Sequence, residues 1–199
     1  MRTLRVIEFL SLDGVMQAPG GPEEDTEGGF RHGGWQRPYF DEVLGASAAE
    51  GMAATDAYLF GRKTYEKMAA HWPTQPDDDP YARHLNSNPK YVASRSLRKV
   101  EWRNSSLLEG DVPEAVAGLK ERAGGDIAVL GSGELVQTLI AHDLVDEYSI
   151  AVFPIVLGSG KRLFGEADRA RKLNLVDSRP TSTGGMILTY QPDHGRETR

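Results

Sequence analysis

Apolar and polar positions along this chain keep changing their period, and the changes mark out elements. The opening "MRTLRVIEFLSLDG" passes directly into a strand-like run that carries charges at Arg5 and Glu8. Residues 18 to 38, "APGGPEEDTEGGFRHGGWQRP", have no periodicity and are rich in Gly and Pro, which predicts a functional loop or lid. Helical spacing then appears at Phe40, Val43, Leu44, Ser47, Ala48, Gly51 and Met52, giving one buried face. The run "DAYLF" predicts a short buried strand ending at Gly61, and a helix follows through "KTYEKMAAHW". Asp79 and Pro80 read as the N-cap and first-turn proline of a short helix that stops before Asn88 and Pro89.

"KYVAS" predicts the next strand, ending at Ser94 and Arg95. Asp111 and Glu114 form a capping-box spacing ahead of Val116, Leu119 and Ala123, and Gly124 and Gly125 close that helix. "DIAVL" is a buried strand, "GSGE" a tight glycine turn and "LVQTLIAH" a helix. After residue 146 only strands are predicted, in "EYSIAVFPIVL", "KLNLVDSRPT" and "GGMILTYQP". Strands alternating with helices, then a terminal run of strands, imply an α/β fold with a mixed sheet, parallel at its centre and antiparallel at one edge. One domain over residues 1–191 is expected, with 192–199 a disordered tail.

Composition narrows the chemistry. The 199 residues hold 23 Lys and Arg against 29 Asp and Glu, a net charge of −6 that opposes nonspecific attraction to nucleic acid or anionic membrane. The chain has no cysteine, so disulfides, thiolate metal sites and cysteine nucleophiles drop out. Histidines 32, 71, 84, 142 and 194 show no metal-ligand spacing, and no metal is expected. Neither a signal peptide nor an apolar run of membrane-spanning length is visible, so a cytoplasmic protein is expected.

Three loops at the carboxyl ends of predicted parallel strands share one logic: "GRKT" at 61–64, "SR" at 94 and 95, and "GSGE" at 131–134. That edge of an open sheet is where ligands bind. Glycine lets the backbone approach a ligand, and helix-opening N–H groups hold a pyrophosphate. Cations at a helix start are unfavourable unless an anion meets them, so Arg62 and Lys63, with Arg95, point to a further phosphate such as the one that separates NADPH from NADH. The familiar fingerprints are absent: Val136 stands where a G-x-G-x-x-G needs its last glycine, and Glu134 where a P-loop needs lysine. "GSGKR" at 158–162 fails as well, through Ile155 and Arg162.

"VIEFLSLDGVM", "GRKTYE", "VASRSL", "VLGSGELVQTLI" and "PIVLGSGKRLF" follow the order and approximate spacing of the dihydrofolate reductase superfamily. Across residues 4 to 190 the chain resembles the branch typified by the C-terminal reductase domain of the bifunctional riboflavin-biosynthesis protein. The resemblance implies a three-layer αβα fold and NADPH as cofactor. By position it implies that Gly61, Arg62, Lys63 and Thr64 take phosphates, with Ser94 and Arg95 near the adenosine end. Gly131, Ser132, Gly133, Glu134 and Leu135 would surround the pyrophosphate, and Phe9, Leu10 and Val15 or Met16 would wall the nicotinamide. A homodimer is expected by analogy.

The sequence departs from riboflavin-pathway reductases at Val15, where lysine is usual, and at Leu130, where glutamate is usual; both departures count against a phosphorylated pyrimidine substrate. The candidate acids are Asp13, in an Asp-Gly turn pair, and Glu50, on the first helix with Asp41 and Glu42. Trp35 and Tyr39 are candidates to stack on a flat heterocycle, or else anchor the lid. The expected activity is an NADPH-dependent reduction of a small pteridine- or pyrimidine-type heterocycle, the alternative being a nucleotide-binding protein without turnover.

Overall fold

The computed structural model describes residues 1–76, 78–165 and 169–193. In chain order the elements are β1 (Leu4–Ser11), α1 (Glu42–Ala54), β2 (Thr55–Gly61), α2 (Arg62–His71), α3 (Pro80–Ser87), β3 (Lys90–Ala93), β4 (Ser105–Leu107), α4 (Val112–Glu121), β5 (Asp126–Leu130), α5 (Gly133–Ala141), β6 (Glu147–Phe153), β7 (Leu173–Pro180) and β8 (Met186–Pro192). They form one eight-stranded sheet in the order β4-β3-β2-β5-β1-β6-β8-β7. Pairing is parallel from β4 to β6, and β8 runs antiparallel to both β6 and β7.

Strand alternation divides the interior into two faces. Leu4, Val6 and Leu10 of β1 join Leu59, Val129 and Ile150 beneath α4 and α5, which contribute Val116, Leu119, Val136 and Leu139. The opposite face holds Tyr58, Phe60, Val92 and Leu130 under α2 and α3, and continues through Ala151, Phe153 and Ile187 to Leu44 of α1. Helices on both sides of a sheet make three layers, and β2 and β5, covered on both faces, read as nearly continuous apolar runs.

Local signals place most of the boundaries. Asp79 accepts the N–H groups of Tyr81 and Ala82, with Pro80 in the first turn, and Asp111 caps α4 at the N–H of Glu114. The α4 helix stops at Glu121, short of the glycine pair. Strand β4 is not visible in the sequence pattern, being three residues long and without alternation. At the other end Pro192 belongs to β8, and the Asp193 N–H donates to the Lys172 carbonyl; the rest of the expected tail, 194–199, lies outside the described residues. Residues 18–38 contain only two short 3-10 turns, Glu27–Gly29 and Arg37–Tyr39.

Candidate functional site

The sheet opens between β5 and β1. These strands pair only from Leu4↔Ile127 to Ile7↔Leu130, whereas β1 stays paired with β6 as far as Ser11↔Phe153. Past Leu130 the chain turns away through Gly131 and Ser132, both left-handed with φ of 57° and 64°. Residues from Glu8 onward therefore lose their neighbour on that side. The connection from β1 to β2 and the one from β5 to β6 also leave this point in opposite directions, the arrangement that makes a crevice at the carboxyl ends of parallel strands. A cleft of about 1650 Å³ occupies it.

All three glycine and cation loops reach this cleft: Gly61, Arg62, Lys63 and Thr64, Ser94 and Arg95, and Gly131 through Leu135. The helix starts explain why. Helices α1, α3 and α4 each have an Asp side chain accepting first-turn N–H groups. Helices α2 and α5 have no side-chain cap, and both begin at the cleft. Uncapped N–H groups and the positive end of the helix are suited to an anion. Ser132 and Thr64 are used differently: the Gly61 N–H donates to Ser132 Oγ at 3.0 Å, and the Ser132 N–H donates to Thr64 Oγ1 at 3.1 Å. The two loops thus fasten each other. A Cβ on Gly131 would come within 3.4 Å of Thr64, so glycine permits the close approach.

The cations are not all waiting. Glu27, on the lid, accepts from Lys63 at 2.6 Å and from Lys161 at 2.5 Å, and these bonds, Lys161 first, hold its carboxyl down at about 2. Asp25 accepts from Lys161 at 2.7 Å and lies 3.9 Å from Lys67. Partial burial works against its charge, but the Lys161 ammonium keeps the carboxyl below its ordinary range. Arg62 pairs with Glu66 one turn on, at 2.9 Å. Arg95 is exposed at the cleft edge and has no carboxylate partner among the described residues. The anion expected at the start of α2 is thus supplied in part by the lid.

Lys161 and Gln17 line the cleft, and the sequence pattern does not single them out. Gln17 is buried; its side chain donates to the carbonyls of Asp25 and Glu27, and accepts the Lys161 N–H. Lys161 belongs to the "GSGKR" segment that fails as a P-loop, and its role arises from proximity to the lid.

On the α1 face of the sheet the cleft continues as a chamber. Ile7 and Phe9 of β1, Ser149 and Ala151 of β6, and Ile187 and Thr189 of β8 form its sheet wall, facing Leu44, Ser47, Ala48 and Gly51. A Cβ at Gly51 would stand 3.9 Å from Ile7 Cδ1, an ordinary van der Waals contact. Glu50, Asp177 and Arg179 line its mouth.

Several expected site residues take other positions. Asp13 accepts the Ser11 hydroxyl at 2.7 Å and the N–H groups of Leu157 and Gly158. These bonds, that of Ser11 foremost, lower its pKa; it pins one loop to another, is not among the cleft-lining residues, and is no proton donor. Glu50 lies at the cleft, but it is exposed and paired with Arg179 at 2.6 Å. Trp35 is buried, donates from Nε1 to the Gln17 carbonyl and packs edge-on against Phe153. Tyr39 packs on the same ring. Both anchor the lid from behind and neither lines the cleft. Leu10 and Val15 are core residues behind the wall, so Phe9 and Met16 alone of the four reach the cleft.

The structure brings one further acid to the cleft. Glu8 lines the cleft, is 5% exposed, and its Oε1 has no hydrogen-bond partner. Burial, reinforced by the nearby charge of Glu24, raises its pKa well above the usual carboxylate range. Its signal in the sequence is the alternation Leu4, Val6, Glu8, Leu10, where an acid takes an inward position. Among the described residues no group of three or more His, Asp or Glu converges as a metal site, and no helix is long and apolar enough to cross a membrane.

A mixed sheet between two helical layers, split at its switch point beside two uncapped helix starts, is the dihydrofolate-reductase-like architecture. The chain belongs to the RibD C-terminal domain family, which it matches over residues 2–187. It is similar to the uncharacterized Bacillus subtilis proteins YyaP, with 31% identity over 138 residues (68% of this chain, 73% of YyaP), and YwjB, with 32% over 120 residues (60% and 64%). Among solved structures, a Shewanella sp. PV-4 protein named for riboflavin biosynthesis superposes with a TM-score of 0.75 at 23% identity, covering 96% of this chain and 99% of that one. A pyrimidine reductase-like protein from Corynebacterium diphtheriae gives 0.63 at 13%, covering 98% and 93%. Enterococcus faecalis dihydrofolate reductase, solved with NADP(H), gives 0.58 at 16%, covering 96% of each chain. These likenesses establish the fold.

Proposed function

We propose that the protein is an NADPH-dependent reductase acting on a small planar heterocycle of pteridine or pyrimidine type. The observation that carries this reading is the joining of two spaces at the β1–β5 split: an anion-binding cleft with two uncapped helix starts, and a mostly apolar chamber under α1. The residues present fit a pyrophosphate dinucleotide. Helices α2 and α5 offer N–H groups, Arg62 and Arg95 offer guanidinium groups for a further phosphate, and the buried Glu8 Oε1 still lacks a partner. Family membership and the NADP(H) complex of the enterococcal reductase support the same cofactor.

The nicotinamide, when bound, supplies a hydride. Phe9 and Met16 offer an apolar wall that keeps water from the reacting face. Ile7, Ala48 and Ile187 favour a flat apolar ring in the chamber, and Ser47, Ser149 and Thr189 supply the few polar contacts that orient it. Arg179 at the mouth is held between Glu50 and Asp177, whose two carboxylates already occupy its charge. With Asp13 committed to loop bonds and Glu50 paired, the substrate's proton comes through water.

Steady-state NADPH oxidation across a panel of oxidised pterins and aminopyrimidines tests the proposal. Turnover of at least one of them, with NADPH preferred to NADH, is expected. Tight NADPH binding with no turnover across the panel would favour a non-catalytic NADP(H)-binding protein.

A further inference from the structure

Glu8 is the first residue of β1 beyond its last pair with β5, Ile7↔Leu130. It shares the parity of Leu4, Val6 and Leu10, whose side chains pack toward α4 and α5, and is opposite in parity to Ile7 and Phe9, which face the α1 side. The carboxyl therefore lies on the α4 and α5 face of β1, away from the chamber under α1. Met16 and the start of α5 close that side narrowly: a Cβ on Gly133 would fall 2.7 Å from Met16 Sδ. There the unpartnered Oε1 of Glu8 is a buried polar atom of a kind that folded proteins rarely leave unsatisfied.

Resting on the reductase reading above, the geometry points to Glu8 as the residue that holds the carboxamide of the nicotinamide ring. A nicotinamide lying on the Phe9 and Met16 wall presents one polar group, and that group carries both N–H donors and a carbonyl acceptor. A charged carboxylate only accepts. A neutral carboxyl does both, and burial together with the charge of Glu24 favours that form. The paired arrangement would satisfy Oε1 and fix the rotation of the ring. Strand parity turns Glu8 away from the chamber under α1, which suits a positioning group for the cofactor better than an acid for the substrate.

The test uses the full chain and compares two ligands by quenching of tryptophan fluorescence: NADPH, and 2′-phospho-ADP-ribose, which has the same phosphates and no nicotinamide. Glu8→Met keeps side-chain length and removes both polar atoms; it should weaken NADPH about tenfold and leave 2′-phospho-ADP-ribose within about twofold. Glu8→Gln, which still donates and accepts, should bind both nearly as the native protein does. The reduced 3-acetylpyridine analogue, which lacks the carboxamide N–H groups, should bind the native protein more weakly than NADPH, and that difference should vanish in Glu8→Met. This comparison on the native protein stands even if Glu8→Met does not fold. Equal weakening of NADPH and 2′-phospho-ADP-ribose, or native affinity for NADPH in Glu8→Met, would overturn the proposal alone. Failure of the native protein to bind either ligand would overturn the reductase reading as well.

Discussion

Replacing Arg95 by alanine should separate NADPH from NADH, and the structure sets how far. Arg95 ends the β3 loop at the cleft, exposed and without a carboxylate partner among the described residues. A hydrogen bond from a guanidinium to a phosphate contributes about 1.5–3 kcal/mol, and solvent exposure puts this one in the lower part, about 1.5–2 kcal/mol. That corresponds to roughly a ten- to thirtyfold loss of NADPH affinity. Arg62 differs because it already bonds Glu66 at 2.9 Å. Such an i,i+4 pair contributes about 0.4 kcal/mol and must be shared with the incoming phosphate, which reduces the effect of Arg62→Ala to about six- to fifteenfold. NADH, lacking the 2′-phosphate, should change by less than about twofold in either variant. Calorimetric titration of both cofactors at two ionic strengths measures this, and the Arg95 contribution should shrink at higher salt. Equal losses for NADH and NADPH would refute the assignment of these arginines to the extra phosphate. A larger loss in Arg62→Ala than in Arg95→Ala would refute the discount assigned to the Glu66 ion pair.

Other expectations concern the lid, the loop lattice and the buried acid. Glu27→Gln removes the anion that occupies Lys63 and Lys161, so NADPH affinity should rise while hydrogen exchange across residues 20–30 speeds up; unchanged affinity would mean that the lid carboxylates do not compete with phosphate. Glu27's depressed folded pKa of about 2 gives its ion pairs a contribution that is full above the ordinary 4.5 and fades as pH falls toward 2, so exchange in the native lid should quicken over that range. Glu8 has the opposite sign. A carboxyl whose folded pKa is raised costs stability as pH rises above its ordinary 4.5, so Glu8→Gln should raise Tm at neutral pH, with the gain vanishing near pH 4. Ser132→Ala removes the bonds with Gly61 N–H and Leu130 O, about 1 kcal/mol each in unfolding free energy, and chemical denaturation should show about 2 kcal/mol. Trp35→Ala should cost about 3–5 kcal/mol by the same measurement, because Trp35 is a buried anchor and not a substrate contact.

Features decided by neighbours along the chain are legible in the sequence. Asp79 with Pro80, and Asp111 with Glu114, fix helix starts within four residues, and both caps stand where the spacing places them. The glycine turns at 61 and 131 are legible for the same reason, since a strand and a helix flank each. The site itself depends on pairs far apart in sequence. Asp13 reads as a catalytic acid because its Asp-Gly turn is local, while the N–H groups that occupy it belong to Leu157 and Gly158. Trp35 and Tyr39 read as stacking residues, yet Phe153, more than a hundred positions on, is the ring they pack against. Lys63 reads as a free cation because Glu27 approaches from an aperiodic segment. Glu8 is visible as an acid at an inward position, but its exposure to a cleft follows from where β5 stops pairing with β1, which alternation does not report.

The central claim is that the split between β1 and β5 receives one dinucleotide, and a structure of the protein with NADPH bound tests it most directly. The account predicts the pyrophosphate against the N–H groups of residues 133–135, the 2′-phosphate between Arg62 and Arg95, and the nicotinamide on Phe9 and Met16. A cofactor seated elsewhere, or one whose nicotinamide lies outside the split with the chamber under α1 out of its reach, would contradict it.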